Sequence, residues 1–129
     1  MNVLVDTHLL LWTAAQGKKL SFEARHILSD QRNSLWVSVV SIWEVAIKRS
    51  LEKPDFRIDA GPLRAGLLRS GYTELAVESR HVMALVGMPY WHNDPFDRLL
   101  VAQAHAEGMV LLTTDRGLAA YGTSVLVVG

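Results

Sequence analysis

Apolar residues in this chain fall into two patterns that alternate from end to end. Short apolar runs at Asn2 to Val5, Leu35-Trp36-Val37, Thr73 to Val77, Met109 to Thr113 and Ser124 to Val128 read as buried strands. Between them, apolar positions recur at helical spacing. Helices are predicted over Thr7 to Ala15 and from an N-cap at Ser21 through about Leu28, with Phe22, Ile27 and Leu28 inward. Another runs from Val39 to Leu51, with Ile42, Trp43, Val45 and Ala46 supplying its apolar faces. Ser79 to Val86 follows, and Asp94-Pro95 opens a helix through Glu107 that Gly108 stops. A short helix is expected over Gly117 to Tyr121. Gly17 with Lys18-Lys19, Arg32-Asn33, Pro54 and Pro89 mark the breaks. Asp55 to Gly71 carries the least pattern and reads as a loop with a short helix over Leu63 to Leu68. Strict strand–helix alternation predicts α/β class, with a parallel five-stranded sheet covered by helices on both faces.

The 129 residues, half of them hydrophobic, suit one domain over 1–129. Cysteine is absent, so neither disulfides nor a thiolate metal site can form, and a reducing cytoplasm is compatible. No signal peptide is expected, because Asp6 and His8 break the first apolar stretch and no basic leader precedes it. Nor does any apolar run reach the roughly 18 residues of a membrane span. The 13 basic and 13 acidic residues cancel, which argues against a protein that coats nucleic acid nonspecifically. Lys48, Arg49, Arg98 and Arg116 nevertheless fall beside the seams where the chemistry concentrates.

At those seams stand four acids: Asp6, Glu44, Asp97 and Asp115. In an alternating chain the strand ends share one edge of the sheet, where a ligand crevice forms. Carboxylates gathered there repel unless a cation intervenes. A hard divalent ion, Mg²⁺ or Mn²⁺, takes oxygen ligands and keeps positions open for phosphate and water. Each acid also has a plain structural alternative. Asp6, Asp94 and Asp115 can cap the helices that follow, and Ser41 with Glu44 fits a capping box. Two observations favour the cation. Glu44 lies inside an apolar run, past the first turn if its helix starts near Ser38. Asp97 is surplus as a cap once Asp94 is in place. An unpaired buried carboxylate must protonate or find a positive partner.

Four motifs carry a resemblance that spans essentially the whole chain: V-D-T at Asp6, S-x-x-S-x-W-E-x-A-x-K from Ser38 to Lys48, H-x-D-P-F-D-R-L-x-x-A-Q-A from His92 to Ala104, and L-x-T-x-D ending at Asp115. Together they resemble the PIN-domain ribonucleases, and within them the VapC-like toxins of toxin–antitoxin pairs. The resemblance implies a three-layer α/β/α sandwich with the first strand central. It also implies an acidic quartet of Asp6, Glu44, Asp97 and Asp115 as catalytic metal ligands for Mg²⁺ or Mn²⁺. Thr7 and Thr113 match its motifs and would orient carboxylates. Asp94 would be an auxiliary acid or cap, and Arg98 and Arg116 candidate phosphate contacts or solvated surface charges. The function implied is a metal-dependent endoribonuclease cutting structured RNA such as tRNA or rRNA, held by a cognate antitoxin and forming a homodimer in the cytoplasm.

The remaining chemistry is sparse. The five histidines show no zinc-site spacing, and His92 is read as shaping the loop before D-P-F-D. No G-x-S-x-G elbow, P-loop or G-x-G-x-x-G fingerprint occurs. Trp36 and Trp43 read as core, and Trp91 beside Tyr90 as a substrate or partner contact. The groove beside the Val39–Leu51 and Ser21–Leu28 helices is the expected antitoxin surface. Two other functions fit the pattern: a PIN-type RNA-processing nuclease without an antitoxin, and a non-catalytic α/β binding module whose acids are only caps.

Overall fold

Strand β1 (Asn2–Val5) sits at the centre of the sheet, and its side chains alternate between two cores. Val3 and Val5 face one side and Leu4 the other, all fully buried. Only a strand covered on both faces reads as a continuous apolar run. The computed structural model describes residues 1–129. Its five strands, with β2 (Ser34–Ser38), β3 (Thr73–Leu75), β4 (Val110–Thr113) and β5 (Val125–Val127), pair in parallel in the order β3-β2-β1-β4-β5. Val3 lies opposite Leu35 on one side and Val110 on the other.

Helices α1 (Thr7–Ala15), α2 (Phe22–Ser29) and α4 (Ala60–Arg69) contribute Leu9, Leu10, Ala24, Leu63 and Leu67 to the core that holds Val3 and Val5. Helix α6 (Pro95–Glu107) gives Leu100, Val101 and Ala104 to the core around Leu4 and Leu111. Helix α3 (Val39–Ser50) serves both cores, through Val45 and Val40 respectively. Helix α5 (Ser79–Val86) packs on α6. The chain leaves β1 towards β2 and later returns on its other side as β4. The order of connection therefore reverses between β1 and β4, where open α/β sheets place their ligand crevice.

Six local expectations need correction. Phe22 is 86% exposed, because the inward stripe of α2 is Ala24, Ile27 and Leu28, and Phe22 stands off it. Trp43 is 57% exposed and Ala46 is also exposed. The buried face of α3 is Val40, Ser41, Glu44 and Val45, which leaves Trp43 on the other side, edge-on to Phe96. Trp36 is only half-buried, with its indole N–H donating to Asn2 Oδ1. Helix α4 begins earlier than Leu63, since Pro62 falls in its first turn, where a missing N–H costs nothing. Strand β3 ends at Leu75, short of Val77.

Candidate active site

Asp6 is the first residue after β1 and is 3% exposed. Its backbone N–H still bonds Leu112 across the sheet, so its position is fixed by the ladder. Oδ1 accepts the Leu9 N–H at 2.9 Å, capping α1, and Oδ2 accepts the Thr113 hydroxyl of β4. Burial pushes this carboxyl above its usual range, against the lowering effect of the Thr113 and Leu9 hydrogen bonds and of nearby His8; Glu44 raises it further. The expected capping role is real. It employs Oδ1 alone, Oδ2 being held by Thr113, and burial still disfavours the charge.

Glu44 enters from α3, whose N-cap is Ser38 rather than Ser41, so no capping box forms there. The carboxylate is 6% exposed and accepts the Thr7 hydroxyl at 2.8 Å; Thr7 also lies 2.9 Å from the Ser41 hydroxyl. Lys48, one turn on, sits 3.3 Å away. Glu44 is thus paired, contrary to the expectation of a buried carboxylate without a cation. Thr7 and Thr113 each orient an acid by donation, Thr7 to Glu44 and Thr113 to Asp6.

Asp97 sits in the first turn of α6. Asp94 caps that helix by accepting the Phe96 N–H at 2.9 Å and the Asp97 N–H at 3.4 Å, with Pro95 at the first helical position. The Asp97 carboxylate accepts no hydrogen bond, and the nearest ring nitrogen, His92 Nε2, is 3.9 Å away. Burial, then Asp94, Asp6 and Glu44 in turn, push its pKa up to about 7, against a smaller lowering by His92. That sequence of causes places the three other acids in one electrostatic neighbourhood with Asp97.

Asp115 follows β4 and caps the 3₁₀ segment Arg116–Tyr121 through the Gly117 N–H at 2.9 Å. Its other oxygen meets His92 Nε2 at 2.7 Å. Ligand atoms of His92, Asp97 and Asp115 all lie within 4.8 Å of one another. His92 is the member of this cluster that motif reasoning underrated. Its place just before D-P-F-D was the available signal, but only the fold brings it onto Asp115.

Arg98 does not face these carboxylates and is not a solvated charge. It is buried, under the Tyr90 ring at 3.9 Å and donating to the Met88 carbonyl. Arg116 is exposed. Arg49 pairs with Asp59 at 2.8 Å and ties α3 to the start of α4. A separate group, Glu78, His81 and Glu107, comes equally close together. There His81 Nδ1 accepts the Glu78 N–H as a helix cap, and Arg80 already pairs with Glu107.

The donor set suits a hard divalent cation. It is rich in carboxylate oxygen, and both Asp6 and Asp97 are pushed up, chiefly by burial and further by neighbouring acids. Lys48 is the cationic side chain the geometry brings onto these acids, and the His92 imidazole approaches Asp97 and Asp115.

Site and fold together define a class, the small α/β proteins with a cluster of acids at the switch point of a parallel sheet. The chain belongs to the PIN domain family, whose model matches residues 3–123. Ribonuclease VapC22 of Mycobacterium tuberculosis is 28% identical over 120 residues, spanning 91% of this chain and 89% of that protein. Solved structures share the fold. VapBC2 from Rickettsia felis bound to a promoter DNA fragment matches with TM-score 0.68 at 12% identity, over 98% of this chain and 97% of that one. A toxin–antitoxin complex from Klebsiella pneumoniae gives 0.67 at 16% identity, over 97% and 96%. VapBC-1 from nontypeable Haemophilus influenzae gives 0.59 at 16%, over 94% and 92%.

Proposed function

We propose that this chain is a Mg²⁺- or Mn²⁺-dependent endoribonuclease and the toxin of a toxin–antitoxin pair, acting on RNA in the cytoplasm. The observation that carries the nuclease reading is Asp97: a half-buried carboxylate with no hydrogen-bond donor, raised by burial and then by three neighbouring acids. A set of caps has no use for it, which disfavours the binding-module alternative. The likeness to a VapC ribonuclease over most of both chains supports the toxin reading over an RNA-processing role.

Asp6, Glu44, Asp97 and Asp115 would hold the ion. A divalent cation supplies charge neutralisation at the phosphate and lowers the pKa of attacking water. Thr113 and Thr7 keep Asp6 and Glu44 turned towards the crevice. Hydrolysis adds the water oxygen to phosphorus in line and expels O3′, which leaves with a proton. The products are a 5′-phosphate and a 3′-hydroxyl.

Lys48, the partner of Glu44, also lines a groove of about 550 Å³ together with His8, Trp12, Lys19, Phe56 and Arg57, among others. Its cations outnumber its one acid, Asp55, and supply phosphate contacts that the neutral net charge conceals. The second copy of a homodimer would cover α3 and α5. Val39, Trp43, Ile47 and Leu51 form an exposed i+4 stripe on or just past α3, and Val82, Met83 and Val86 project from α5. On α2 only Phe22 is exposed among large apolar residues, so the antitoxin groove expected between α2 and α3 has a weaker apolar basis on that side.

The test is to incubate wild type and Asp6→Asn with total RNA in Mg²⁺, in Mn²⁺ and in EDTA, and to map new 5′ ends. Discrete metal-dependent cuts bearing 5′-phosphates, absent from the variant, are expected. Equal background in every lane from folded protein would sink the nuclease reading.

A further inference from the structure

His92 makes three directed hydrogen bonds, and they join two separate segments of the chain. Its backbone N–H donates to the Tyr121 hydroxyl at 3.2 Å, and Tyr121 in turn donates to the Pro89 carbonyl at 2.8 Å. Its ring Nδ1 accepts the Asp94 N–H at 3.2 Å. That bond assigns the ring proton of the neutral imidazole to Nε2, which then donates to Asp115 Oδ2 at 2.7 Å. Asp115 and Tyr121 are the two ends of one 3₁₀ turn, and Asp94 is the cap of α6. One residue therefore fastens the start of α6, which carries Asp97, to the turn after β4, which carries Asp115.

The ring has a built seat. A Cβ on Gly117 would stand 3.3 Å from His92 Cδ2 and 3.1 Å from Asp115 Oδ1, so a side chain at 117 would press on both partners. The ring is half-buried and 3.9 Å from Asp97. The contact with Asp115 is made by donation alone, and its direction is fixed at the opposite edge of the ring by a backbone amide.

We propose that His92 is a positioning residue, whose Nε2–H holds the Asp115 carboxylate in register with Asp97 so that both present oxygens to one divalent cation. This rests on the metal-centre reading above. Groups that orient metal ligands typically change affinity about 10–100-fold when lost.

The two ring nitrogens can be separated by substitution. In His92→Gln the amide Nε2 stands where the imidazole Nε2 stood and keeps the donor to Asp115. In His92→Asn the amide oxygen keeps the acceptor for the Asp94 N–H but reaches no further. Mn²⁺ dissociation constants are measured by calorimetry for wild type, His92→Gln, His92→Asn and His92→Ala, together with their melting temperatures in EDTA. Asn and Ala are expected to weaken Mn²⁺ binding by about tenfold or more, and Gln by less than about threefold. In a long-range ¹H–¹⁵N spectrum of the metal-free wild type, the His92 proton is expected on Nε2. A cycle with Asp115→Asn checks the route, because His92→Ala should add little once Asp115 has lost its charge.

Asn binding Mn²⁺ as wild type does, or Gln binding as poorly as Ala at equal melting temperature, overturns the clamp and leaves the metal centre standing. Wild type that binds no Mn²⁺ removes the metal centre, and the clamp with it.

Discussion

Asp97 carries the sharpest consequence at the scale of single residues. Its pKa is raised from 3.8 to about 7, first by burial and then by Asp94, Asp6 and Glu44. A carboxyl raised on folding binds its proton more tightly in the native state. Its contribution to stability is whole below about pH 4 and is lost as pH climbs through about 7. Buried Asp6 is shifted in the same direction. The metal-free protein should therefore lose melting temperature between pH 4 and pH 7 on account of these two groups. Asp97→Asn removes the charge and keeps the shape. Its melting temperature in EDTA should exceed wild type's at pH 8, and the difference should close by pH 4. A variant less stable than wild type at pH 8 would mean that Asp97 is a satisfied structural acid. The residue scale also shows the limit of motif reading. Asp97 was legible as surplus once Asp94 was recognised as the cap. Lys48 was readable four residues past Glu44 on the same helix, but Thr7 and His92 were not, because they come to Glu44 and Asp115 from a neighbouring element and a distant loop.

At the scale of elements, nearly every strand and helix was visible from its apolar period and its punctuation: Ser21 and Asp94 cap helices, and Gly108 ends α6 at φ 67°. The orientation of amphipathic faces was less visible. Helix α3 carries apolar residues all round, so the sequence could not say which of them face solvent. Trp43 looked like core and is not, because Glu44 and Ser41 occupy the inward face that serves the site. The price of placing a carboxylate inward is an apolar stripe outward at Val39, Trp43, Ile47 and Leu51. Helix α5 exposes Val82, Met83 and Val86, and both helices pack against α6. Stripes of this kind mark contact surfaces more often than bare solvent faces. If they join two copies, Val86→Glu should shift the protein from dimer to monomer in sedimentation at micromolar concentration while its circular dichroism stays unchanged. A wild type that sediments as a monomer at the same concentration would reject the dimer.

For the whole molecule, topology is what converts scattered acids into a site. Asp6 follows β1 and Asp115 follows β4, neighbouring strands at the reversal point of the sheet, although more than a hundred residues separate them. Glu44 arrives on the helix after β2, and Asp97 on the helix that leads into β4. Strand alternation foretold the parallel sheet, but the order β3-β2-β1-β4-β5 needs information that no periodicity contains. The resemblance put β1 at the centre, and the structure places it there. The claim that these acids form one divalent-cation centre is met most directly by calorimetric titration of wild type and Asp97→Asn with Mn²⁺ at pH 8 and pH 6. Wild type should bind at pH 8, and bind more weakly at pH 6 with release of close to one proton, because the ion must displace the proton that Asp97 then carries. Asp97→Asn should bind at least about tenfold more weakly at pH 8 and lack that proton release. No binding by folded wild type at pH 8, or equal binding by the variant, would contradict the account.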